Sequence, residues 1–175
     1  RGEREKAFAP QNAACFRCLM PAKRTPVPKA VLYNRQKALQ VPLPWLRRLV
    51  KASMPECLAK GKEREEAVLA TLDEVEITLV DDAEIARVHG EFLDDPTSTD
   101  VITFHHGEIL ISTETAARQA VEHGQPLDHE LALYAIHGLL HLAGWHDEED
   151  AEAEAMARVQ AGILQEALAK VGSAS

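Results

Sequence analysis

The spacing of apolar residues in this chain switches repeatedly between a period of two and a period of 3.6, and that switching restricts the fold more than any other feature. VLYN, from Val31, is strand-like. PLPWLRRLVKASMPECL then places Trp45, Leu46, Leu49 and Val50 on one helical face, with Arg47, Arg48 and Lys51 turned away and Pro44 tolerated in the first turn. VEITLV, Val75 to Val80, alternates as a half-buried strand does, after which Asp82 is expected to cap a helix through Ile85, Val88 and Phe92. DDPTSTD reads as a turn, and VITF and EILIS as two strands that His106 and Gly107 allow to pair as an antiparallel hairpin. Three helices complete the pattern: Thr113 to His123 ending at Gly124, Pro126 to about Ala143, and about Glu148 to Lys170. The order predicts an α+β domain, with one small mixed sheet of about four strands covered by about five helices.

At 175 residues with 46% hydrophobic content, the chain suits one domain, expected over residues 30–170. Residues 1–29 are rich in Pro, Lys and Arg without a sustained period, so they read as a disordered basic extension or the product of an upstream start. Residues 171–175 read as a disordered tail. No apolar run approaches the roughly 18 residues of a membrane span, and RGEREKAFAP lacks a secretory apolar core, so a cytoplasmic location is expected. Cys15 and Cys18 form a C-x-x-C pair without the second pair of a zinc ribbon, and Cys57 stands alone, which favours incidental thiols.

Charge divides sharply along the chain. Residues 1–64 carry 15 Lys and Arg against 4 Asp and Glu, whereas residues 65–175 carry 4 against 24. A solvated surface of uneven charge and a stripe facing a polyanion are both compatible with that division.

The chemically informative stretch is HGLLHLAGWHD. His137 and His141 lie four apart on an expected helix, hence only roughly 40° apart around its axis, and both imidazoles point the same way. Two nitrogen ligands on one sheet-packed helix form half of a tetrahedral zinc site. Gly144 can take a positive φ and return the chain towards the metal, where Asp147 stands as third ligand in H-x-x-x-H-x-x-G-x-x-D. His146 competes for that role, and Asp147 could instead cap the last helix. Three protein ligands to one Zn2+ leave a fourth position for solvent, the mark of a catalytic site, and metal-assisted hydrolysis is the natural reaction class. Zinc proteases with an H-E-x-x-H helix carry a Glu directly after the first His, where this chain has Gly138. No general base is identifiable from sequence, although Glu108, Glu114 or Glu130 could bring a carboxylate from another element. An RNA phosphodiester demands less proton transfer than a peptide bond, because its leaving group is better.

Together AVLYNRQ, ITLVDDAEI, TDVITF, GEILIS and above all HGLLHLAG resemble the bacterial YbeY-type metal-dependent endoribonucleases, over about residues 30–168. The resemblance implies a single-strand-specific, zinc-dependent endoribonuclease of ribosomal RNA processing, acting in 16S rRNA 3′-end maturation and ribosome quality control. It also implies ribosomal RNA and the small ribosomal subunit as partners, and metal binding by His137, His141 and the residue ten after the first, Asp147. That last position is usually His in the family, and here the order His146, Asp147 exchanges the two types. Leu93 stands where many members carry an Arg thought to contact RNA phosphate. Phosphate recognition is therefore expected to pass to Arg87 or to Arg47, Arg48 and Lys51, with the helix from Pro44 packed beside the metal cleft. The competing readings are a metallopeptidase-like hydrolase and a non-catalytic ribosome assembly factor with a structural zinc.

Overall fold

In a computed structural model, residues 27–93 and 95–174 are described. Cys15, Cys18 and the expected extension through residue 26 lie outside them. Four strands and five α-helices follow one another: β1 (Lys29–Asn34), α1 (Leu43–Ala59), β2 (Glu74–Val80), α2 (Asp82–Leu93), β3 (Val101–Phe104), β4 (Glu108–Ser112), α3 (Thr113–His123), α4 (Leu127–Leu142) and α5 (Asp150–Val171). Among the described residues, no helix is long and apolar enough to cross a membrane.

Strand order is β1-β2-β4-β3. β1 and β4 run parallel to β2, and β3 returns antiparallel to β4 through the tight turn expected at His106 and Gly107. Gly107 takes φ +101° there, and its N–H donates to Phe104 O at 2.9 Å. β2 is buried along nearly its whole length because both of its faces are covered. Val75, Ile77, Leu79, Ile109 and Ile111 enter the main core with α1, α4 and α5, while Val80, Leu110 and Ile102 meet Ile85 and Val88 of α2 on the opposite face. This is the period of two acting on β2, β3 and β4, whose alternate side chains divide between the two cores, whereas β1 sends Leu32 into the main core and leaves Tyr33 exposed.

Local rules explain most helix ends. Ser112 caps α3 by accepting from Thr115 N at 3.1 Å, and Gly124 ends that helix in the left-handed region at φ +64°. The cap of α2 is Asp81, not Asp82: its carboxylate accepts from Glu84 N at 2.8 Å. Asp82 is released to bind α3, accepting from Ser112 Oγ at 2.5 Å, Thr115 Oγ1 at 2.9 Å and Arg118 at 2.7 Å. The chain end is also more engaged than its polar composition suggested. Val171 completes α5, Gly172 O accepts from the Trp45 indole at 2.8 Å, and Ala174 packs against the core.

α4 positions everything that follows. It is apolar nearly all round, as a helix surrounded by protein must be, and packs on α1, α3, α5 and the β3–β4 hairpin. Leu131, Ile136, Leu139, Leu140 and Leu142 are fully buried. His137 and His141 occupy the one stripe left half-open.

Candidate metal centre

His137 and His141 stand on successive turns of α4 with ring centroids 4.5 Å apart and ring planes at 87°. Their Nε2 atoms are 2.9 Å from each other, and Asp147 Oδ2 lies 3.5 Å from the first and 3.7 Å from the second. A tetrahedral cation with bonds of about 2.0–2.1 Å sets its ligand atoms roughly 3.3 Å apart. The three observed separations bracket that value. Among the described residues, this is the one His, Cys, Asp or Glu group with its ligand atoms gathered so closely.

The outer ring nitrogens decide what the inner ones can do. Gln160 donates its amide N–H to Leu133 O at 3.1 Å, which turns its Oε1 towards His137 Nδ1 at 3.3 Å. His141 Nδ1 lies 3.0 Å from Trp145 O. Each Nδ1 faces an oxygen acceptor and therefore carries the proton, leaving both Nε2 atoms as bare lone pairs. Two lone pairs at 2.9 Å beside a carboxylate repel one another unless a cation sits among them. Burial and the neighbouring His137 push the His141 pKa below its ordinary value, with Asp147 opposing in part, so the ring favours its neutral, metal-ligating form.

Asp147 reaches the pair because of how α4 ends. Trp145 N donates to Leu140 O at 3.0 Å and Gly144 N to His141 O at 2.9 Å, a Schellman turn with Gly144 at φ +86°. A Cβ on Gly144 would lie 2.9 Å from Ala67 Cβ, so glycine is required here by space as well as by φ. The loop after α1 clamps the turn from outside: Lys62 N donates to Ala143 O at 2.8 Å, Val68 N to Leu142 O at 2.8 Å, and the Trp145 indole to Lys60 O at 2.9 Å. Thus held, the chain swings Asp147 over the histidines. His146 lines the same cleft but stays outside the converging trio.

That cleft has a volume of about 410 Å³ and is walled by Val101, Thr103 and His105 opposite His141 and Asp147. Gly138, where H-E-x-x-H proteases carry Glu, faces the sheet. A Cβ there would come 2.8 Å from Ile109 Cγ2, 2.9 Å from Ile109 Cδ1 and 3.1 Å from Thr103 Oγ1. No carboxylate fits at that position. The three alternatives named from sequence point elsewhere: Glu108 lies 3.3 Å from His106, Glu114 accepts from Asp82 N at 2.9 Å, and Glu130 accepts from Gln125. The further carboxylates that line the cleft are Glu66 and Glu148, which sequence reasoning missed. Glu66 carried no local signal, being delivered by the clamping loop. His105 did carry one, since it continues the alternation of Val101 and Thr103.

A sequence model of the family described as Endoribonuclease YbeY matches residues 31–168. The chain belongs to the YbeY family. Its similarity to curated members includes 40% identity to Endoribonuclease YbeY of Synechococcus sp., over 51% of this chain and 65% of that one. It is 38% identical to the Gloeobacter violaceus member, over 53% and 56% of the two chains, and 31% identical to that of Desulfitobacterium hafniense, over 67% and 83%. The first two alignments thus span less than two thirds of those relatives' length. The solution structure of TM1509 from Thermotoga maritima superposes with a TM-score of 0.53 at 26% identity, covering 81% of this chain and 90% of that chain.

The region matching YbeY contains the converging trio and also Gln160, so the site and its orienting contact lie within the family's span. The basic residues expected to guide RNA do not gather around it. Arg47 donates to Leu32 O at 2.9 Å, and with Lys51 and residues 27–30 it lines a separate cavity of about 470 Å³. That places it at β1, the sheet edge opposite β3, three inter-strand steps or roughly 14 Å away. Arg48 is exposed and turns back to Pro44 O at 3.5 Å. The expectation that α1 sets its basic face beside the metal cleft therefore fails. Trp45, Leu46, Leu49 and Val50 must face α4 and α5, and that packing rolls Arg47 and Lys51 to the far edge. Arg87 is bound by Glu84 at 3.0 Å and Glu91 at 2.7 Å on α2. Cations closer to the cleft come from the clamping loop, read from sequence merely as a polar connection. Lys62 Nζ sits 3.8 Å over the Trp145 ring, and Arg64 pairs with Glu152 at 2.5 Å.

Proposed function

We propose that this chain is a zinc-dependent endoribonuclease that cleaves single-stranded RNA in the cytoplasm. Its task is ribosomal RNA processing on the small ribosomal subunit, including 16S rRNA 3′-end maturation and ribosome quality control. The observation that carries the reading is the convergence of His137 Nε2, His141 Nε2 and Asp147 Oδ2, in a chain of the YbeY family. Those three residues would hold the ion, and a bound Zn2+ supplies Lewis-acid activation of solvent and neutralises phosphoryl charge. Gln160 and the Trp145 carbonyl keep the imidazoles in the ligating tautomer, and the buried body of α4 holds them in fixed orientation. The packing of Gly138 favours RNA over a peptide substrate, since the carboxylate of the H-E-x-x-H arrangement has no space.

A catalytic role for the metal is favoured over a structural one by the core, which closes through apolar contacts without help from the site. The test is metal analysis of the purified chain together with cleavage of an end-labelled single-stranded RNA, for the wild type, His137→Ala and Asp147→Ala. Folded variants that lose both zinc and cleavage support the reading. Variants that unfold on losing zinc point to a structural metal, and retained cleavage by Asp147→Ala removes Asp147 as ligand.

A further inference from the structure

On β3, Ile102 and Phe104 face α2, whereas Val101 and Thr103, with His105 just beyond the strand, line the metal cleft. Thr103 lies against Gly138, the residue that follows His137. Its Oγ1 is buried and, alone among the buried side-chain nitrogens and oxygens of the described residues, has no hydrogen-bond partner. Other buried hydroxyls of this fold are served: Ser53 Oγ by Leu49 O at 3.1 Å and Val50 O at 3.0 Å, Thr113 Oγ1 by Val80 O at 3.1 Å. Leaving a buried hydroxyl unpaired is destabilising, and valine has the same shape without that cost. Val101 on the same strand face shows that valine suits this wall. Packing therefore gives no reason for a hydroxyl at residue 103.

A ligand in the cleft gives one. The three staggered positions of a threonine side chain exchange hydroxyl and methyl by rotation about Cα–Cβ. Thr103 itself lines the cleft that it shares with His141 and Asp147, so such a rotation takes place at the cleft wall. Besides the imidazoles of His105, His141 and His146, the polar groups of the cleft wall are carboxylates, from Glu66, Asp147 and Glu148, which accept hydrogen bonds and repel a phosphodiester. Arg47, Arg48 and Arg87 are directed elsewhere, so a neutral donor on β3 has a task that no charged side chain of those three performs.

We infer that Thr103 is a substrate-binding residue whose hydroxyl donates to a non-bridging oxygen of the RNA phosphate brought to His137, His141 and Asp147. The inference rests on the endoribonuclease reading above. Its test compares wild type, Thr103→Val and Thr103→Ser as full chains in three measurements: thermal midpoint of the metal-free protein, inorganic phosphate binding by the zinc-loaded protein from 31P line broadening, and kcat/KM on labelled single-stranded RNA. Thr103→Val is expected to melt no lower than wild type, while phosphate affinity and kcat/KM fall roughly 10- to 100-fold, as for a lost hydrogen bond to a charged group. Thr103→Ser is expected to restore both. A lower midpoint for Thr103→Val without ligand would show that the hydroxyl serves packing and would overturn the inference. Unchanged phosphate binding and cleavage in Thr103→Val, beside an active wild type, would overturn it and leave the endoribonuclease reading intact. Phosphate binding that depends on Thr103 in a wild type that cleaves no RNA would sustain the donor role and remove that reading instead.

Discussion

Gln160 orients His137 without touching the metal position, so replacing it separates tautomer control from ligation. Its Oε1 accepts from His137 Nδ1 at 3.3 Å, and its Nε2 donates to Leu133 O at 3.1 Å. Leucine in its place keeps most of the buried volume. It removes the acceptor, and His137 is then free to move its proton to Nε2, where it blocks ligation. Contacts of this kind are worth about 10- to 100-fold in metal affinity. The 3.3 Å separation is long, so Gln160→Leu should sit near the lower end, about tenfold, or about 1.4 kcal/mol. Loss of the bond to Leu133 O should cost little, because that carbonyl already belongs to the helical ladder. Zinc affinity is measured by competition with a chromophoric chelator, beside the urea midpoint of the metal-free chain. Gln160→Glu, which keeps an acceptor and adds charge, should bind zinc at least as tightly as wild type. Equal affinity in wild type and a well-folded Gln160→Leu would refute the tautomer argument.

Three further outcomes are expected. Gly138→Ala should lower the unfolding free energy of the metal-free chain by about 1–2 kcal/mol in urea titration, because crowding against fully buried Ile109 outweighs the helix-propensity gain of alanine. For pH, the folded His141 pKa lies below the ordinary 6.5, so the unfolded chain binds more protons. The stability this ring contributes is then present above about pH 6.5 and lost as pH falls below it, visible as a declining melting midpoint of the metal-free protein that His141→Gln should flatten. Cys57 is fully buried with its thiol pKa pushed up to about 12, so peptide mapping after iodoacetamide treatment should find Cys57 unlabelled in the native chain and labelled in urea. Labelling at equal rates in both conditions would contradict the burial.

Element order and type were legible because each strand and helix announces its period, and HGLLHLAG carried the histidine pair with it. The second residue of DD at 81–82 illustrates a limit. Two adjacent carboxylates can each cap α2, and the choice fell to Asp81 because Ser112, Thr115 and Arg118 of a distant helix claim Asp82. The basic face of α1 illustrates another. Periodicity showed which residues share a face but not which neighbour that face meets, and only the packing against α4 and α5 directs Arg47 to the β1 edge. Gln160 and Glu66 were silent for the same reason, lying 23 and 75 residues from the partners that give them meaning, His137 and His141.

The same division explains why the site has the form it does. His137 and His141 stand on a helix buried on almost every side, and their outer nitrogens are tied down, so neither can follow a moving ligand. Asp147 lies beyond the Gly144 bend on an exposed stretch, with its side chain 41% accessible. Of the three proposed ligands, two are therefore fixed by the core while the exposed third side chain is free to adjust, giving a preorganised cradle with one yielding member. A carboxylate at that yielding position can bind through one oxygen or both, which an imidazole cannot do. Asp147 thus places the proposed ligand with the greatest freedom of coordination at the most exposed member of the trio.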